Sequence, residues 1–166
     1  RHTLRAAAIV GQTPAAMLAT LHEALRRHSP AAEMCTVCLV AVSPDGDGAE
    51  LDVALAGHPR PVAIGADGST RAVGRHGTML GVSGSADPGL DRDSLAAGET
   101  LVLYTDGVLD AGRPDDDLGE DGLLDACREA HAEPLGSLLE RLERLAFDRA
   151  AGRPRDDIAL LALRLL

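Results

Sequence analysis

Apolar positions along the chain switch between helical and alternating spacing, and those switches lay out most of the elements. Residues 4–10 form a short Ala-rich apolar segment compatible with helix or strand. Thr13 and Pro14 read as an N-cap followed by proline at the first helical position, and Met17, Leu18, Leu21, Ala24 and Leu25 recur behind them at helical spacing. Arg26, Arg27 and His28 place positive charge at the end of that helix, where its dipole favours it, and Ser29-Pro30 stops it. Residues 34–43 are apolar on both faces, as expected of a central strand. The turn Pro44-Asp45-Gly46-Asp47-Gly48 leads to alternating Leu51, Val53 and Leu55, and the pair reads as a hairpin. A second hairpin follows in residues 61–64 and 69–73 around Ala66-Asp67-Gly68, and a glycine-rich stretch, 74–88, reads as a surface winding.

The second half is simpler. Residues 100–104 make the strongest strand of the chain, and it stops abruptly at Thr105-Asp106-Gly107. A polar loop at 112–118 precedes a helix over 120–131 and another over 135–149, the latter with Leu135, Leu138, Leu139, Leu142 and Leu145 as its apolar stripe. A loop at 152–157 leads to a closing strand, 158–166. Four to six strands in hairpins with the helices kept apart from them predict an α+β fold, sheets inside and helices outside.

Composition narrows the partners. At 166 residues the chain is expected to be one domain, and with no run long enough to cross a bilayer and no signal-peptide pattern it reads as cytoplasmic, without membrane contact. A net charge of −10 argues against nucleic acid, whose phosphates need a basic face. An acidic protein that handles a phosphoryl group needs a compact local positive charge, which a bound metal supplies. All 16 basic residues are Arg, with no Lys or Asn, a usage expected of a GC-rich bacterial genome. Cys35 and Cys38 have the spacing of half a zinc knuckle, but no second pair follows and a strand would turn them to opposite sides, so packing is the expected role.

Carboxylates stand where strands end. Asp106 follows the strand 100–104 with Gly107 behind it, and Asp156 and Asp157 immediately precede the last strand. A carboxylate held at a strand tip suits a hard divalent cation. By spacing alone, the plainer reading of Asp-Gly as a turn and Asp-Asp as a solvated loop is the commoner one.

Four segments carry a resemblance. Ala56-Gly57-His58-Pro59-Arg60-Pro61, Met79-Leu80-Gly81-Val82, the stretch ending Leu103-Tyr104-Thr105-Asp106-Gly107-Val108, and Arg155-Asp156-Asp157-Ile158 occur in this order and cover nearly the whole chain. Together they closely resemble the SpoIIE-like and RsbU-like branch of the PPM (type 2C) protein phosphatases. The resemblance implies an α-β-β-α sandwich of two antiparallel sheets flanked by helices. It also implies a site for two Mn2+ or Mg2+ ions, whose shared water attacks phosphoserine or phosphothreonine. Asp106 and Asp156 match metal ligands of the family, Gly107 and Asp157 their supporting neighbours, and His58 a turn residue without a catalytic role. The implied substrate is a phosphorylated regulatory protein of the anti-sigma-factor antagonist type, with homodimerisation left open.

Departures accompany it. Arg60 replaces a proline, Ala159 a threonine and Glu99 an aspartate, none of them a ligand. The family's third ligand, which bridges both metals, belongs to an N-terminal Gly-Asp segment that these 166 residues do not contain. The expectation is a single phosphatase domain, 1–166, truncated at its N-terminus and inactive in this form. The alternative is a phosphatase-like binding or dimerisation module without turnover.

Overall fold

The computed structural model describes residues 2–28, 34–82, 84–114 and 116–166. The expected stop at Ser29-Pro30 lies outside them. Two compact units emerge, one from residues 1–45, 50–60 and 74–94, the other from 46–49, 61–73 and 95–166. Each lays helices on one sheet. No helix among the described residues is long and apolar enough to cross a membrane.

In the first unit, the ambiguous N-terminal segment is a helix, α1 (His2–Ile9), followed by α2 (Pro14–His28). Thr13 caps α2 as expected: its hydroxyl accepts the Ala16 N–H at 3.4 Å, and its carbonyl accepts the Met17 N–H at 2.9 Å. Strands β1 (Val37–Asp45), β2 (Gly48–Ala56) and β5 (Gly89–Leu95) form a sheet in the order β1-β2-β5. Leu18 and Leu21 of α2 pack with Ala54, Ala56 and Leu80, and Val37 and Leu39 of β1 lean on that cluster.

Two expectations fail here. Residues 34–43 are not a central strand: β1 begins only at Val37, lies at a sheet edge and is half-buried to exposed throughout, while β2 takes the buried middle position. Apolar content on both faces was a poor guide because half of it is Ala and Val, which tolerate an edge. The 74–88 stretch is not purely a surface winding either. Leu80 is fully buried and exchanges both backbone hydrogen bonds with Cys35, at 3.1 and 2.9 Å. His22, itself buried, fastens the same stretch by accepting the Gly81 N–H on Nδ1 at 3.3 Å, which leaves Nε2–H to donate to the Gly84 carbonyl at 3.0 Å.

In the second unit, β3 (Val62–Ile64), β4 (Thr70–Ala72), β6 (Thr100–Tyr104) and β7 (Leu160–Arg164) form an antiparallel sheet in the order β4-β3-β6-β7. Helices α4 (Gly119–Glu129) and α5 (Leu135–Arg149) cover one face of it. Leu123, Cys127, Leu138, Leu142 and Ala146 meet Val62, Ile64, Val102 and Tyr104 in one buried cluster. Arg164 ties β7 to the α4–α5 connection, donating to the Thr100 hydroxyl at 2.8 Å and to the Glu133 carbonyl at 3.1 Å.

Cys127 lies in this cluster, and Cys35 packs against that of the first unit. Burial pushes Cys38 up to about 11 and Cys127 up to about 12, and it raises Cys35 as well.

Past the end of α5, Ala151 adopts φ +50°, the left-handed conformation that glycine normally supplies at this position. Its Cβ makes that conformation cost about 1 kcal/mol or more. Ala151→Gly is accordingly expected to stabilise the protein by about 1 kcal/mol in a denaturant titration. An unchanged or lower midpoint would contradict it.

Candidate functional site

The candidate carboxylates are positioned by the β6–β7 pair. The register runs from Thr100 opposite Arg164 to Tyr104 opposite Leu160, so the C-terminal end of β6 and the N-terminal end of β7 share one edge of the sheet. Asp106 leaves the former and Asp156 and Asp157 lead into the latter. The sequence expectation that these two strands are neighbours with their acidic ends together agrees with this pairing.

Beyond Tyr104 the two segments remain joined through Thr105. Its N–H donates to the Ala159 carbonyl at 3.0 Å. Its hydroxyl donates to the Asp157 carbonyl at 2.7 Å and accepts the Ala159 N–H at 2.9 Å. Thr105 is also the N-cap of a one-turn helix, α3 (Asp106–Leu109), yet its side chain makes no capping bond, because the hydroxyl is already committed across the strand pair. Reading Thr105-Asp106-Gly107 as a simple strand-to-turn stop missed both this helix and the role of Thr105. Threonine at a strand end carries no distinctive spacing, so nothing local marked it.

Asp106 is half-buried in the first turn of α3, and its Oδ1 accepts the Gly107 N–H at 3.1 Å. Asp156 and Asp157 are exposed, and Asp156 Oδ1 accepts the Asp157 N–H at 2.7 Å. Asp106 and Asp156 thus each engage one carboxylate oxygen with the N–H of the following residue, which orients the carboxylate. Gly107 is fully enclosed between the two segments. A Cβ on it would lie 2.6 Å from the Asp157 carbonyl oxygen and 3.1 Å from that of Asp156. Only glycine lets the Asp106 segment approach the Asp156-Asp157 backbone this closely, a sharper reason for Gly107 than turn formation.

A divalent cation of the Mn2+ or Mg2+ kind prefers oxygen donors, and Asp106 and Asp156 offer those. The donor chemistry fits; the number of donors does not complete a site. Among the described residues no group of three or more His, Cys, Asp or Glu could hold a metal ion.

His58 belongs to the first unit. Its Nδ1 lies 2.9 Å from the carbonyl of neighbouring Pro59. The turn it occupies depends on Gly57, which has φ +65° and whose Cβ would fall 2.7 Å from that of Met79.

Comparison with known proteins gives a consistent result. The family described as Stage II sporulation protein E (SpoIIE) matches residues 1–166. A solved structure of the RsbU and RsbW domains of Rv1364c from Mycobacterium tuberculosis is similar at 28% identity and a TM-score of 0.79, over 97% of this chain and 44% of that one. The SiaA-PP2C domain of Pseudomonas aeruginosa is similar at 24% identity and a TM-score of 0.77, over 98% of this chain and 66% of that one. The PP2C phosphatase domain of the cell fate determinant SpoIIE from Bacillus subtilis, solved with a fragment of its regulatory domain, has the same fold. There the identity is 16% and the TM-score 0.75, over 97% of this chain and 47% of that one. The chain therefore spans less than two thirds of each of these structures, and its two antiparallel sheets with helices match PP2C phosphatase domains.

Proposed function

This chain belongs to the SpoIIE family and is a PP2C-type Ser/Thr phosphatase domain, and from that premise we propose that it serves a metal-dependent protein phosphatase acting on a bacterial regulatory phosphoprotein. Residues 1–166 are read as one such domain. Asp106 and Asp156 are assigned as metal ligands, with Gly107 and Asp157 supporting them. The observation that carries this reading is the contact of the two acidic segments across Gly107, 50 residues apart in sequence, which a pair of unrelated turns would not require.

Bound Mn2+ or Mg2+ would neutralise phosphoryl charge and lower the pKa of water. The protein's own part is geometric. Thr105 fixes the spacing of the two segments, the backbone bonds of Asp106 and Asp156 aim their carboxylates, and β6 and β7 give both a rigid base. The substrate class, a phosphorylated anti-sigma-factor antagonist, is supported by the likeness to a protein that carries RsbU and RsbW domains.

A second reading is a phosphatase-like module that binds the same partner without turnover. Hydrolysis of a phosphoserine protein in Mn2+ separates the two. Turnover that EDTA abolishes is expected of the phosphatase, and binding without turnover of the module. Absence of metal-dependent hydrolysis would overturn the phosphatase reading, and turnover would overturn the module.

A further inference from the structure

Next to the acidic edge the second unit carries a cleft of about 260 Å³ lined by Asp110, Arg113, Arg149, Arg153 and Arg155 together with small residues. Four of the chain's 16 basic residues thus converge on one concavity in a protein of net charge −10. Arg113 pairs with Asp110 at 3.2 Å and Asp117 at 3.6 Å, and Arg149 with Asp116 at 2.9 Å. These are exposed pairs, weak and readily exchanged for a ligand carboxylate. The side chains of Arg153 and Arg155 are exposed and, among the described residues, have no ion-pair partner.

Two of the residues lining the cleft adjoin the candidate metal edge along the chain. Asp110 is one helical turn from Asp106, its N–H donating to the Asp106 carbonyl at 2.9 Å, and Arg155 directly precedes Asp156. A peptide residue adds about 3.3 Å in extended form, so side chains a few positions from a residue held at that edge reach the cleft. Its volume suits one or two side chains rather than a whole cofactor, which fills about 300–1,000 Å³. Guanidinium forks match carboxylates bidentately. In a protein of net charge −10, four arginines around one cleft give an acidic segment a local attraction that also orients it.

Building on the phosphatase reading, we propose that this cleft receives acidic side chains flanking the phosphorylated residue of the protein substrate, with Arg153 and Arg155 as the binding groups. The test is fluorescence anisotropy on the full-length protein in EDTA, so that no turnover occurs. Three labelled peptides are compared: a phosphoserine peptide with Asp/Glu flanks, its unphosphorylated form, and a phosphoserine peptide with Ala flanks. Both acidic-flank peptides are expected to bind more tightly than the Ala-flank peptide. R153A/R155A should weaken their binding about 10-fold or more and flatten its salt dependence, while R153K/R155K should restore part of it.

Equal binding of the Ala-flank and acidic-flank phosphopeptides would overturn the proposal, because the cleft would then read the phosphoryl group. So would unchanged affinity in R153A/R155A with an unaltered melting profile. Failure of the phosphatase reading looks different. Acidic peptides that bind through the arginines but are never hydrolysed in Mn2+ would leave the cleft assignment standing and remove the enzyme.

Discussion

Asp106→Asn in the full-length protein is expected to lower Mn2+-dependent phosphatase turnover by about 100-fold or more while the fold survives. Substitutions around metal ligands already cost about 10–100-fold, and this one would remove a proposed ligand itself. The amide is nearly the same size and keeps an oxygen that can accept the Gly107 N–H, so the local turn is retained. The carboxylate at the start of α3 also favours the positive end of that helix, a contribution of about 0.3–1 kcal/mol that the variant forgoes. A melting profile close to wild type, with metal affinity lost in a calorimetric titration, is the expected pair of results. Turnover near the wild-type level would show that Asp106 is not a ligand.

Gly107→Ala is expected to be damaging for a different reason, namely that it adds a group where there is no room. The new Cβ would stand 2.6 Å from the Asp157 carbonyl oxygen and 3.1 Å from that of Asp156. Both obstacles are backbone, and the nearer one, the Asp157 carbonyl, is held by the Thr105 hydroxyl. Overpacking of this kind costs about 1–3 kcal/mol, and the relief available is to part the two segments. Activity should fall further than stability, since a displacement of about 1 Å at a reacting site can cost 100-fold. Thermal denaturation and turnover, measured together, test this. A variant as stable and as active as wild type would mean that the two segments are not in contact in solution.

These two outcomes concern residues visible in the sequence for one reason and explained by the structure for another. Asp106, Gly107, Asp156 and Asp157 stood out as motifs at strand ends, and the first of those strands was legible because four consecutive apolar residues, Leu101, Val102, Leu103 and Tyr104, follow the β-branched Thr100. The helix Leu135–Arg149 was readable to its boundaries because Pro134 precedes it and its leucines keep one face. Thr13-Pro14 announced α2 for similar local reasons.

Elements whose cause is distant were not legible. Strand β5 (Gly89–Leu95) reads as Gly-Leu-Asp-Arg-Asp-Ser-Leu, with charges where a buried strand would carry apolar groups, and no strand was expected there. It is a strand because β2 offers it a free edge to pair with, while its charged side chains stay in water. The burial of Leu80 and His22 likewise comes from partners almost 60 residues away from each other.

By itself, then, the sequence determined the local elements, the family and the identity of the acidic residues, because periodicity, caps and turn chemistry act over a few residues. Tertiary structure alone decided that β6 pairs with β7, that Thr105 staples the two acidic segments, and that Arg113 and Arg149 join Arg153 and Arg155 around one cleft. The choice of strand partners and the gathering of charges from separate helices and loops are set by how the sheet and helices bury their common apolar cluster, a collective condition that no short window of residues contains.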